Sequence, residues 1–381
     1  MQTLSLKMIG GDGYTYKLRG IKKSADFLVS KDLRGTLAQD VIYDGIAGSH
    51  PYASVAVPKF AEAAKIYYSV PQLVYVPKDS ILGDYLEEFG GMFCLLEIHA
   101  DDDMSEFENF GNSKKVLNYH QAIKKLEDDS KNKVDIEFTV RSRLFDLFLG
   151  DWDRHDDQWR WATFKEKGET IFRPIPRDRD QVFFKFDGAI MKIANRKWLL
   201  RKFQHFENDI RDVAGLSYNA RYFDRYFLTE ADWSIWKEQA ENLQSLMTDE
   251  VIESALKDLP KEAYDYNGKE LTKILEARRA SMVEFAERYY KILAKEVDVR
   301  GTLEKDFFEV IRLENGDVEL NIYPRKDGDK VESVRYYHRV FKRGETKEIR
   351  LYGLDDKDEY KLSGKSNKSI LVRIIAVSYT H

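Results

Sequence analysis

The segment that most constrains this chain is an apolar helical run at 144–149 followed by a loop dense in charge. Two short strands and a second acidic loop come next. The first loop reads Gly150-Asp151-Trp152-Asp153-Arg154-His155-Asp156-Asp157-Gln158. Residues 158–164 and 170–175 have strand character and are joined by a turn at 165–168, so a tight hairpin is expected. Such a hairpin returns the chain close to where it left. The second loop, Pro174-Ile175-Pro176-Arg177-Asp178-Arg179-Asp180-Gln181-Val182-Phe183, is therefore expected beside the first. A loop pinned at both ends by buried structure is where catalytic groups gather. Four carboxylates, an arginine and a histidine are costly to hold in one loop unless a cation or substrate balances them. Taken alone, the first loop also reads as a solvated acidic turn anchored by Trp152 and Trp159. The second loop weighs against that reading. Two acidic loops held together suit Mg²⁺ or Mn²⁺, which prefer carboxylate oxygens. Arg154, Arg177 and Arg179 could offset the acid or hold phosphate.

The flanking patterns divide the chain into parts. Residues 4–9, a glycine turn at 10–13, and 14–21 read as strand, turn and strand. A helix is expected over 31–46, with Leu33, Leu37, Val41 and Ile42 on one face, and buried strands over 72–76 and 92–98. His50-Pro51-Tyr52 reads as the stop after a helix. Helices are expected over 113–126, 134–149, 197–213, 230–245, 249–256 with Thr248 as N-cap, and 268–295. The basic, aromatic stretch 197–205 suits a packed helix with a solvated basic face better than a reader of nucleic acid. From 299 the pattern alternates by twos, with strands expected at 306–312, 318–324, 331–341, 346–352 and 370–375. The reading is an α+β chain in three parts. They are an N-terminal lobe at 1–100, a mostly helical lobe with the charged loops at 101–298, and a small all-β module at 299–376.

With 381 residues and a net charge of −5, the chain is long enough for two or three units and has no overall basic character for nucleic acid. No apolar run is long enough to span a bilayer. The single cysteine, Cys94, excludes an intrachain disulfide framework and reads as inert core.

The order of these motifs resembles the atypical protein-kinase-like superfamily: lipid kinases, HipA-type toxins, spore-coat CotH kinases and secretory-pathway Fam20-type kinases. Asp153-Arg154-His155 matches the catalytic-loop motif, and Asp178 matches the metal-binding aspartate after the hairpin. The resemblance implies a two-lobed kinase-like fold and an ATP site with Mg²⁺ or Mn²⁺. It implies Asp153 as base or hydroxyl orienter, with Arg154 and His155 beside it, and Asp178 on the metal–phosphate group. Gln158 then stands at the second metal-ligand position, where an Asn or an acid is usual, and Asp180, Asp156 or Asp157 could compensate. Gly11 and Gly13 would cover phosphates. Arg19, with Lys17 second, would hold the α- and β-phosphates, paired with Asp44 or Asp40. Glu97 and Ile98 would meet adenine through backbone groups. Arg19 for Lys, Asp44 for Glu and Gln158 for Asn depart from the family pattern and open a pseudokinase reading. A metal-dependent phosphohydrolase using the same carboxylates is a further alternative.

A closer resemblance covers nearly the whole chain. Ser49-His50-Pro51-Tyr52-Ala53, Leu73-Val74-Tyr75-Val76-Pro77, Phe89-Gly90-Gly91-Met92, Phe110-Gly111-Asn112-Ser113, the segments 150–161 and 173–183, and Glu345-Thr346-Lys347-Glu348-Ile349-Arg350-Leu351-Tyr352-Gly353 are similar to runs in large Gram-negative envelope proteins. Those proteins look like fusions to a calcineurin-like phosphoesterase or an outer-membrane β-barrel. The resemblance implies a periplasmic or outer-membrane setting and an acceptor of unknown kind. Residues 377–381 match one reading frame of a transposon-derived sequencing adapter, so they are expected to be an artefact of a truncated gene fragment. The absence of a signal-peptide pattern at the N-terminus then says nothing about location.

Overall fold

The structure, a computed structural model, describes residues 4–21, 36, 48–185, 201–326 and 330–376. The expected helix over 31–46, with Asp40 and Asp44, lies outside these residues apart from Thr36. The tail 377–381 also lies outside them. The chain is α+β. Strands β1 (Ser5–Ile9) and β2 (Thr15–Gly20) form a hairpin. Helix α1 (Ala53–Ala63) follows, then β3 (Gln72–Val76) and β4 (Met92–Ile98). These four strands make an antiparallel sheet in the order β1-β2-β4-β3. Alternation puts Leu18, Cys94 and Leu96 into a small apolar cluster on one face and Lys17, Arg19 and Glu97 on the other.

A second four-stranded sheet, ordered β5-β7-β8-β6, contains the expected hairpin. It is built from β5 (Val116–Asn118), β6 (Asn132–Val134), β7 (Trp159–Glu166) and β8 (Glu169–Pro176). Between these strands run α2 (Tyr119–Asp128) and α3 (Ile136–Leu149). The helix expected over 113–126 therefore opens as a strand. Asn118 ends that strand and starts α2 through a capping box with Gln121. Trp159 and Trp161 are fully buried and stack on Phe223 of α4 (Arg221–Phe227), which fixes the hairpin against the helical body.

The body is completed by α5 (Trp233–Leu246), α6 (Asp249–Leu256, capped by Thr248), α7 (Lys261–Ala280) and α8 (Met282–Ala294). The single helix expected over 268–295 is two helices joined at Ser281. His50-Pro51-Tyr52 lies immediately before helix α1, which packs Ala56, Val57 and Phe60 into the main core despite Pro58, while the helix it was expected to end lies outside the described residues. One correction concerns the body. Within 201–212 there is no helix. There the Gln204 side-chain amide bonds both the N–H and the carbonyl of Asp212, at 3.0 and 2.6 Å, and Arg201 clamps the Asp212 carboxylate. Side chains take the place of helical hydrogen bonds while Phe206 and Ile210 still reach the core.

The remaining strands form two sheets around a separate apolar core. Strands β9 (Glu296–Arg300), β14 (Glu348–Gly353) and β16 (Leu371–Ala376) are parallel. They face β10 (Asp306–Arg312), β11 (Val318–Lys326), β12 (Lys330–Val331), β13 (Tyr337–Phe341) and β15 (Glu359–Gly364). Val299, Ile349 and Leu351 meet Phe308, Val310, Leu320 and Phe341 between the sheets. Strand β9 begins two residues after α8. No helix among the described residues is long and apolar enough to cross a membrane.

Candidate active site

The charged loop begins where α3 ends. Gly150 stops the helix at φ +73°, and a Cβ there would lie 2.7 Å from the Phe206 ring, so both conformation and space call for glycine. Beneath the loop three arginines and three aspartates are buried together. Arg143 grips the Asp224 carboxylate through two nitrogens, at 2.6 and 3.0 Å, and also pairs with Asp146. Arg179 joins Asp146 to Asp151, and Arg154 reaches Asp151 at 3.4 Å. None of the six is more than 8% exposed, so the charges must balance within the network. Tyr289 adds a hydrogen bond to Asp224.

This network sets the two loops beside each other. Arg154, 1% exposed, donates to the carbonyls of Arg177 and Asp178 at 2.6 and 3.2 Å and lies over the Trp159 ring. It is a positioning residue inside the fold and does not reach the cleft, where the sequence had placed it among the catalytic groups. Asp178 sits at φ +56°, a left-handed conformation costly for a residue with a side chain. Its carboxylate accepts from Gln158 Nε2 at 3.3 Å and pairs with Arg19 across the gap between the two sheets. Asp153 holds Asn219 Nδ2 at 2.7 Å, and His155 Nε2 lies 3.2 Å from Gln158 Nε2. Asp180 accepts from Gln181 and lines a pocket with Arg19, His50, Leu95, Glu97 and Asp178.

The expected residues are therefore gathered unevenly. Arg19, Asp178 and Asp180 line one pocket, Gln158 reaches Asp178 from the hairpin with His155 beside it, and Asp153 meets Asn219 instead. Glu97 departs from expectation: its carboxylate, 8% exposed, pairs with Arg19, while Asp44, the partner expected for Arg19, lies outside the described residues. Ile98 packs beside Ala100 and Met104 in a small apolar cluster. Gly11 and Gly13 form an ordinary hairpin end. The Gly13 N–H bonds the Gly10 carbonyl at 3.0 Å, and Asp12 ties the turn to Tyr16, so the Gly13 N–H is not free to meet a phosphate. Burial pushes the Arg19 guanidinium down to about 10 and the Cys94 thiol above its ordinary value. Asn219, Glu97 as a pairing acid and the Asp146–Asp224 network were missed. Asn219 lies far along the chain in a segment with no motif, so only the fold could reveal it.

For a divalent cation the donors at hand are the Asp178 and Asp180 carboxylates and the Gln158 amide oxygen. Among the described residues no group of three or more His, Cys, Asp or Glu forms a cation cage. One or two carboxylates and an amide still suit Mg²⁺, which completes its shell with water and substrate phosphate.

No family model matches the chain, and no curated protein matches it. Among solved structures it is similar to the crystal structure of a Helicobacter pylori proinflammatory kinase, CtkA. The alignment covers 77% of this chain and 97% of that one, at 11% identity and a TM-score of 0.36. Likeness at that level is too low to transfer fold or function.

Proposed function

We propose that the cleft carries metal-dependent phosphoryl transfer from ATP. Asp153 orients the acceptor hydroxyl, and Asp178, with Gln158 and Asp180, holds the cation. The observation that carries this reading is the contact of Arg19 and Gln158 with one carboxylate, Asp178, across the gap between the sheets. It sets a cation fit for phosphate against a metal-type carboxylate, on a loop that Arg154 ties to the loop carrying Asp153. A bound Mg²⁺ or Mn²⁺ would neutralise charge developing on the transferred phosphoryl group. Arg19 would hold the phosphates already bound, and the buried arginine–aspartate network would keep Asp153 and Asp178 in register. The motif resemblance would place such an enzyme in a cell-envelope protein of the periplasm or outer membrane.

A catalytically inactive nucleotide-binding module is the second reading. It is favoured because both Asp178 oxygens are engaged, one by Arg19 and one by the neutral Gln158. Calorimetry of ATP with and without Mg²⁺ or Mn²⁺, on the wild type and Asp178→Ala, tests the binding half. Metal-dependent binding lost in the variant is expected, and absence of binding with every metal sinks the enzyme reading. Transfer of labelled phosphate that disappears in Asp153→Ala separates the enzyme from the inactive module.

A further inference from the structure

Beside Arg19, where β4 leaves the small sheet, three further cations gather around the neutral imidazole of His99. Lys17 lies two residues before Arg19 on β2, so both side chains share a face. His99 follows β4 and is held there by its N–H to the Thr15 carbonyl at 2.8 Å. The β7–β8 hairpin approaches from the other side. Arg177 continues the ladder with its N–H on the Gln158 carbonyl at 2.9 Å, and Arg160 stands opposite Ile175. With a period of two, Gln158, Arg160 and Arg177 project from one face of that hairpin.

One carboxylate, Asp101, stands 4.0 Å from His99 Nε2, but the cations lack a direct carboxylate partner among the described residues. Arg177 is 7% exposed. It donates to His99 Nδ1 at 2.8 Å and to the Asp157 carbonyl at 3.2 Å, and its buried Nε has no partner. The Arg160 guanidinium donates to the Trp159 carbonyl, and its buried Nε is likewise unpartnered. Among the described residues none of Lys17, Arg160 and Arg177 forms an ion pair with a carboxylate; Asp101, Asp157 and Asp180 act on them only at a distance. Burial and mutual repulsion show in their titration. Burial, then Arg19, Arg177 and Arg160, lower Lys17 to about 8, and burial, then Arg160 and Arg19, lower Arg177 to about 9. Burial, then Arg177 and Arg160, lower His99 to about 3, so it is neutral near pH 7.

Arg177 is buried while Lys17 and Arg160 are half-buried; a buried cation is ordinarily paired, and donors left open in a cleft suit an anion. A purine ring calls for an apolar slot with few polar groups, which this corner does not offer. We propose that Lys17, Arg160 and Arg177, gathered around His99, bind the phosphate chain of a substrate and not a purine base. The inference rests on the cleft being the substrate site. It deepens the phosphoryl-transfer reading by making phosphate, not the base, the recognised group.

Calorimetry in EDTA with inorganic tripolyphosphate, glycerol phosphate and adenosine tests it. Tripolyphosphate is expected to bind without metal and to weaken about tenfold in both Lys17→Gln and Arg160→Gln. Arg160→Lys should recover most of the affinity, which a packing role would not predict. Asp178→Asn should retain binding. Tighter tripolyphosphate than glycerol phosphate identifies the donor's polyphosphate as the ligand, and equal affinity identifies a phosphorylated acceptor; either supports the site. No tripolyphosphate binding, or binding indifferent to both glutamine variants while they remain folded, overturns the proposal. So does adenosine binding that Arg160→Gln abolishes. Metal-free tripolyphosphate binding in a protein that shows no metal-dependent ATP binding would keep this site and remove the phosphoryl-transfer reading.

Discussion

Two groups of arginines flank the Asp178 loop, and they differ in how their charge is answered. Below the loop, Arg143, Arg154 and Arg179 are interleaved with Asp146, Asp151 and Asp224. Beside it, Arg177 and Arg160 stand near Lys17 and His99 with no carboxylate in an ion pair among the described residues; an unpartnered nitrogen occurs in both groups, on Arg154 and Arg179 as on Arg160 and Arg177, so the pairing alone separates them. The residue types are the same, and Arg177 and Arg179 are two positions apart in sequence. A closed set of pairs gives the chain a fixed geometry. An open set raises the energy of the empty cleft and lowers that of a cleft holding an anion.

The largest expected effect comes from opening the closed set. Asp224→Ala strands Arg143 and should lower stability by about 3–5 kcal/mol, read by urea denaturation. A loss below about 1 kcal/mol would break the comparison, because it would mean that the network is not mutually dependent.

Smaller effects should appear on changing pH. The His99 value in the fold, about 3, lies below its ordinary 6.5, chiefly through burial. The stability it contributes is therefore present above pH 6.5 and lost as pH falls toward 3. The wild type should lose stability across that window more steeply than His99→Gln, as thermal melts would show. The β-module should respond in the opposite sense. Burial raises Asp306 to about 6 and Asp358 to about 7, each further opposed by nearby acids. Their protonated forms suit the fold, so that stability is present at low pH and fades as pH rises through 6 to 7. Asp358→Asn should flatten the alkaline side, and an unchanged profile would count against this assignment.

The smallest effect is expected from the open set. Arg160→Gln should change stability by no more than about 0.5 kcal/mol, or raise it, since repulsion is removed and no ion pair is lost. Sulfate should raise the melting temperature of the wild type more than that of the variant, through binding to the folded state. Equal shifts would mean that sulfate acts only through the bulk solvent.

The parts of the molecule legible in the sequence are those governed by local chemistry. Trp159–Glu166 and Glu169–Pro176 alternate around a tight turn, and Thr248 announces its helix by accepting from Val251 N–H at 3.3 Å. Asn315-Gly316 turns β10 into β11, with Gly316 at φ +92°. The return of the hairpin brings the two loops into contact, where Arg154 bonds the carbonyls of Arg177 and Asp178. What could not be read depends on distant partners. Pro58 argues against a helix that tertiary packing nonetheless builds. Phe203, Phe206 and Ile210 have helical spacing, but the Gln204–Asp212 bonds hold an open loop there. Glu97 sits in an apolar strand, and only the register of β2 with β4 brings its carboxylate to Arg19.

The three parallel strands at the C-terminal end have a mechanical consequence. Strand β9 enters from α8 at one end of the sheet, and β16 leaves at the opposite end, with β14 hydrogen-bonded to both. A pull at Ala376 against the helical body would load the rungs of both ladders together, in shear, instead of opening them one at a time. The module would also resist rotation about that axis. Tyr337 and Arg339 reach back to the Thr229 carbonyl, and Tyr290 holds Glu345 at 2.5 Å. Tension along the chain would thus pass through a stiff coupling into the helix that carries Tyr289, and from there to the carboxylate of Asp224.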